Sequence, residues 1–193
     1  MKTLRRTLRT PAVIPAPTAD SLYALFPSSA DRPVCTPISG DQMPEPYRTL
    51  LVHTHHMTVT VECFYGEPVD VRVLETARDG DEYSRKILLE LQDSGRVVQF
   101  GIVQIDLNLL SPPVRDRIVE GKTPLGRVLI EHNVLRYIQP AGYLRVEPCD
   151  EMCRWFGLTE PTTTYGRLGV IYTDGKPAIE VLEILTPISP DRT

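Results

Sequence analysis

Residues 167–185 read RLGVIYTDGKPAIEVLEIL, two runs in which apolar residues alternate with polar or small ones on either side of Asp174-Gly175. An Asp-Gly pair between two such runs supplies the positive φ values of a tight turn, so the segment is expected to form an antiparallel hairpin. Upstream, Val134 to Val146 reads as a further strand. The intervening CDEMCRWFGLTEPTTT, residues 149–164, reads as a loop-rich connection carrying one helical turn.

Working outward toward the N-terminus, PPVRDRIVEG at 112–121 places Val114, Ile118 and Val119 at helical spacing. Two prolines stand at its start and a glycine at its end, as a helix prefers. PLGRVLIEH, 124–132, opens a second short helix with Pro124 in its first turn. RVVQFGIVQI at 96–105 is rich in strand formers, whereas EYSRKILLELQ at 82–92 has Ile87, Leu88 and Leu89 together without a clean period. Its neighbours favour a strand there too. VDVRVLETA at 69–77 alternates, and Asp79-Gly80-Asp81 turns the chain after it. In MTVTVECFYG, residues 57–66, Met57, Val59, Val61 and Cys63 alternate with Thr and Glu. That pattern predicts a half-buried strand, paired with the next one through a turn at Gly66-Glu67-Pro68.

Tyr47, Leu50, Leu51 and His53 suggest a short helix ahead of that strand. Residues 1–45 hold seven of the 18 prolines, and only Ala19 to Phe26, with Leu22, Leu25 and Phe26 on one face, suggests a helix there. The expected organisation is a Pro-rich tail at 1–45 that wraps or dangles, one domain at 46–187, and a short tail at 188–193. The expected fold class is α+β: a single antiparallel sheet of about six strands, covered on one face by short helices.

A chain of 193 residues with 41% hydrophobic content can bury one core of good size. With a net charge of −4 and interspersed signs, no broad cationic face is expected, and nucleic acid is not an expected partner. No stretch approaches the length of a membrane helix, and Pro11, Pro15 and Pro17 interrupt the apolar run that a leader peptide would need. A cytoplasmic protein without a membrane partner is expected. Cys35, Cys63, Cys149 and Cys153 are too few and scattered for a disulfide framework. His53, His55 and His56, even with His132, Cys149 and Cys153, do not have the spacing of a standard zinc site, so no metal is expected.

The run GKTPLGRVLIEHNVLR, residues 121–136, carries chemistry as well as structure. Its GKTPLGR closely resembles a segment of the chorismate lyase family. His56-Met57-Thr58, Arg85 followed by Ile87-Leu88-Leu89, and GKPAIEVLEILTP at 175–187 match in the same order. The resemblance spans residues 46–187 and implies a lyase that eliminates pyruvate from chorismate to give 4-hydroxybenzoate, without metal or organic cofactor. It implies that Arg85 and the backbone amides of Met57 and Leu125 hold the ring carboxylate, and that Glu183 faces the 4-oxygen. A guanidinium fork suits a carboxylate, and an amide just inside a helix start adds an anion preference. The strand alternation alone leaves Glu180 and Glu183 as alternatives, because three residues separate them and they lie on opposite faces. A partly buried carboxyl with a raised pKa could manage the proton lost on aromatisation; Glu183 is the candidate. Arg167, in TYGRLG, is a second candidate contact for the anion. Two alternatives stand beside this reading: a non-catalytic domain of the same fold that binds or senses an aromatic carboxylate, and a lyase giving another hydroxybenzoate isomer. A helix-turn-helix is not expected in 1–45, and neither GKTPLGR nor its flanks account for the Pro-rich start or the 148–164 loop.

Overall fold

A computed structural model describes residues 15–27 and 31–188. In chain order these form α1 (Ala19–Tyr23), β1 (Val34–Ile38), α2 (Tyr47–Leu51), α3 (Met57–Tyr65), β2 (Val69–Asp79), β3 (Glu82–Leu91), β4 (Val97–Asp106), α4 (Pro112–Glu120), α5 (Leu125–Glu131), β5 (Arg136–Glu147), α6 (Asp150–Phe156), β6 (Thr164–Thr173) and β7 (Lys176–Leu185). The seven strands make one wholly antiparallel sheet in the order β1-β5-β6-β7-β4-β3-β2. The α+β class expected from the sequence is the one observed. The Asp174-Gly175 turn joins β6 to β7 as expected, with both residues at positive φ.

One expected strand is a helix. Residues 57–65 coil as α3, and Gly66, at φ 70°, caps its C-terminus instead of opening a hairpin. The alternation of Thr and Val had suggested period two. The buried set, Met57, Thr58 and Val61, is instead spaced by one and then three residues, along a single helical face. Packing of that face against the sheet outweighs the modest strand preference of β-branched residues. The sheet gains β1 from the Pro-rich segment in exchange. Pro37 is tolerated there because β1 is an edge strand, paired with β5 alone.

Helices cover both faces of the sheet, not one. The 149–164 connection folds as α6, started by Asp150 and Glu151 in its first turn and stopped by Gly157 at φ 68°. With α1 it buries Leu22, Tyr23, Phe26, Met152 and Phe156 against Leu88, Phe100, Ile102 and Leu182. The described part of 1–45 therefore wraps onto the sheet. Residues 1–14, 28–30 and 189–193, where the rest of the two expected tails falls, lie outside the described residues. On the other face α2 and α3 cover Ile87 and Leu89, while α4 and α5 cover Val103, Ile105, Ile179 and Val181. Covering on both sides explains why β3 shows no alternation: nearly every residue from Tyr83 to Leu91 is buried. No helix among the described residues is long and apolar enough to cross a membrane.

Candidate functional site

Between the sheet and the α2–α5 layer lies a small cavity, with room of about 40 Å³ for the centre of a water-sized sphere. Its floor is centred on three adjacent strands, with Val71 of β2 and Ile171 of β6 at its sides. β3 supplies Arg85, Ile87 and Leu89; β4 supplies Gln99, Gly101 and Val103; β7 supplies Val181 and Glu183. Register fixes the layout, with Arg85 opposite Val103, Val103 opposite Val181, and Gly101 opposite both Ile87 and Glu183. Arg85 thus marks one end of the floor and Glu183 the other, with Cα atoms roughly 12 Å apart by strand spacing and rise.

The roof is made by the first turns of α3 and α5, contributing His56, Met57, Thr58, Leu125 and Gly126. First-turn amides have no acceptor inside their own helix, and two such helix starts meet over one cavity. Gly126 permits the approach. A Cβ there would lie 2.9 Å from Thr58 Oγ1 and 3.1 Å from His56 Cβ, so any side chain would push the two helix starts apart. An ion pair of Arg127 with Glu62 ties the same helices on their outer side.

Arg85 is 1% exposed. Its Nη1 donates to the carbonyl of Ile118 at 3.1 Å, closing the C-terminal end of α4. Its Nε has no partner, and no carboxylate pairs with it among the described residues. Burial pulls its pKa down and Tyr83 partly opposes that, but a guanidinium stays cationic in a protein. An unneutralised cation in such a place costs several kcal/mol. An anion entering the cavity would remove that cost.

Arg167, 2% exposed, is arranged differently. Its Nε donates to Glu183 Oε2 at 2.7 Å, and its Nη groups donate to the carbonyls of Leu51, His53 and His55 and to His53 Nδ1. Its donors are occupied by the α2–α3 connection, and it does not line the cavity. Glu183 does line it, in the role of counter-charge to Arg167. The two alternatives left by strand alternation are separated here: Glu183 is on the cavity face and Glu180 on the opposite one. The carboxyl whose pKa is pushed up is Glu180, by burial first and by Glu82 second.

The three histidines organise the loop. His53 Nε2 bonds the Leu50 carbonyl at 2.7 Å, and its Nδ1 accepts from Arg167 and from the His55 amide. His56 Nε2 accepts from Arg136 Nε at 2.6 Å. Burial, followed by the neighbouring arginines, lowers both rings to a pKa of about 4, so both are neutral at pH 7. Among the described residues no group of three or more His, Cys, Asp or Glu is placed to hold a metal ion.

The structure therefore gathers Met57, Arg85, Leu125 and Glu183 around one cavity and leaves Arg167 behind its wall. Sequence reading missed Thr58, Gly126, His56 and Gln99. Gly126 and His56 lay inside matched segments, and Gln99 was visible as a polar residue in the apolar run RVVQFGIVQI.

No protein-family model matches the chain, and no curated protein matches it. Solved structures do resemble it. PhnF from Mycobacterium smegmatis shares 12% identity, over 74% of this chain and 67% of that one, at a TM-score of 0.49. The ligand-binding domain of a GntR-family transcriptional regulator from Bordetella bronchiseptica shares 14%, over 61% and 85%, at 0.44. A GntR-family regulator from Bacillus cereus shares 13%, over 62% and 92%, at 0.43.

Proposed function

We propose that this chain binds a small cyclic carboxylic acid in the cavity, with Arg85 as the anchor. The observation that carries this reading is a fully buried guanidinium, without a carboxylate partner among the described residues, at one end of a cavity whose floor beside it is apolar. The acid's carboxylate takes bidentate donors from Arg85 and further N–H groups from Met57 and Leu125. Ile87, Leu89, Val103 and Val181 contact the ring faces.

A second, finer reading is that the bound acid is chorismate and that the site eliminates pyruvate from it to leave 4-hydroxybenzoate. Two things favour it: Glu183 on the cavity wall, and the similarity of residues 121–127 to chorismate lyases. In that reaction the bond between ring carbon and enol-ether oxygen breaks, the adjacent ring carbon loses its proton, and the ring becomes aromatic. Holding the reactive conformer and excluding water would supply much of the rate. The Arg167–Glu183 pair would steady the end where the oxygen leaves. Binding without turnover is favoured in its turn by the engagement of Glu183 with Arg167, which leaves that carboxylate already partnered.

Incubation of the purified chain with chorismate in metal-free buffer, following pyruvate and aromatic acids by chromatography, separates these readings. Equal amounts of pyruvate and 4-hydroxybenzoate establish the lyase. 3-Hydroxybenzoate keeps the site and changes the chemistry. Saturable binding of 4-hydroxybenzoate with no product supports a binding domain. Neither binding nor product rejects the proposal.

A further inference from the structure

Gln99 is a polar residue of the cavity floor to which the carboxylate-binding reading gives no role. It is 3% exposed, lies on the floor of the cavity on β4, and its side-chain Oε1 has no hydrogen-bond donor among the described residues. A buried carbonyl oxygen without a donor is rare and costs stability, because it has given up water and gained nothing. The polar residue is not there for the core: its floor neighbours Leu89, Ile87, Gly101 and Val103 are apolar, and an aliphatic side chain would fill the place.

Its position says what it faces. Gln99 pairs with Leu89 on one side and Leu185 on the other, whereas Arg85 pairs with Val103. Four residues along β4 therefore separate Gln99 from the row of Arg85, roughly 13 Å of strand. Glu183 sits diagonally across from Gln99 on β7, at the spacing of diagonal neighbours on one face, roughly 7–8 Å. The cavity thus has a donor end, where Arg85 Nε is unpartnered, and an acceptor end, where Gln99 Oε1 is unpartnered. Glu183, the other acceptor there, already holds Arg167.

We propose that Gln99 is a specificity-determining residue that requires a hydrogen-bond donor, a hydroxyl or amino group, on the ring at the end opposite the carboxylate. This rests on the reading that Arg85 anchors a cyclic acid, and it narrows the ligand class to para-substituted acids bearing a donor. A side-chain amide is neutral, so it accepts from a hydroxyl without asking the ligand to carry a second charge in an apolar site. An acid lacking the donor would leave Oε1 as unsatisfied in the complex as it is alone, and sites built this way discriminate strongly against such analogues.

The test is equilibrium binding of benzoate, 4-methoxybenzoate and 4-hydroxybenzoate to the wild-type chain and to Gln99→Met, with Arg85→Met as reference. Methoxy and hydroxy groups occupy the same position, and only the hydroxyl donates. The wild-type chain is expected to prefer 4-hydroxybenzoate over both other acids by about tenfold or more. Gln99→Met should bring that ratio close to one by weakening the hydroxylated acid while leaving benzoate unchanged. A wild-type chain that binds 4-hydroxybenzoate and 4-methoxybenzoate equally overturns the inference without needing any variant, and so does a preference that survives in Gln99→Met. Either result leaves the anchor reading intact as long as Arg85→Met weakens all three acids. Failure of the wild-type chain to bind any of the three overturns both.

Discussion

Arg85 and Arg167 are the two largest fully buried side chains of the described residues, and the fold treats them in opposite ways. Arg167 has a carboxylate and three backbone carbonyls, so removing it strands Glu183 and three acceptors together. Arg167→Met should lower unfolding stability by about 3–5 kcal/mol, the cost of breaking a buried pair, as read from urea denaturation. Among the described residues Arg85 has one backbone carbonyl, the neighbouring Tyr83 and no carboxylate. Replacing it by a methionine of similar length should leave stability unchanged or raise it by about 1–3 kcal/mol, because an uncompensated cation is removed. A site residue that is a burden to the free protein fits a ligand-binding role, whereas a loss of stability in Arg85→Met as large as that in Arg167→Met would mark a structural arginine. Sequence reading placed Arg85 first and Arg167 second by resemblance alone, since the physical difference between them lies in carbonyls of residues 51–55, more than 110 residues from Arg167.

At the scale of elements, the cavity roof depends on two helix starts meeting at Gly126. Gly126→Ala should separate α3 from α5, at a cost of about 1–3 kcal/mol for overpacking, and should weaken acid binding through the displaced amides. Unfolding and binding measured on the same variant check both. The loop before α3 also predicts a pH dependence. His53 and His56 have folded pKa values of about 4, below the value of about 6.5 expected in the unfolded chain. Between those limits the unfolded state binds more protons, so stability is full above pH 6.5 and declines as pH falls toward 4. Urea midpoints at pH 7 and pH 5 should show the drop; equal midpoints would mean that the two rings are not held neutral by the fold. The hairpin at 174–175 and helices α4 and α5 were legible in the sequence because turn and cap residues mark them locally. α3 was not legible, because Thr and Val at alternate positions favour a strand and only the packing of Met57, Thr58 and Val61 decides otherwise.

For the molecule as a whole, the class was readable from hairpin-connected alternation, but the second layer was not. Leu22, Tyr23 and Phe26 bury one face of the sheet, and β1 adds its edge, from a stretch whose prolines pointed to a tail. A chain beginning at residue 46 should expose Phe100, Leu144 and Leu168 and should lose several kcal/mol or its cooperative transition, since each large side chain left unpacked costs about 2–5 kcal/mol. Thermal unfolding of that truncation tests it, and an unchanged midpoint would place the domain start at residue 46. The cavity itself draws on β2, β3, β4, β6, β7, α3 and α5, with lining residues dispersed from residue 56 to residue 183, so its closure is a property of topology that no local motif contains. The measurement that bears most directly on it is calorimetric titration of 4-hydroxybenzoate into the wild-type chain and into Arg85→Met. Saturable binding by the wild type and about 30-fold weaker binding by a folded variant, the equivalent of roughly 2 kcal/mol, are the expected results. Equal affinity in the two proteins would contradict the assignment of Arg85 as the anchor, and with it the function proposed for the cavity.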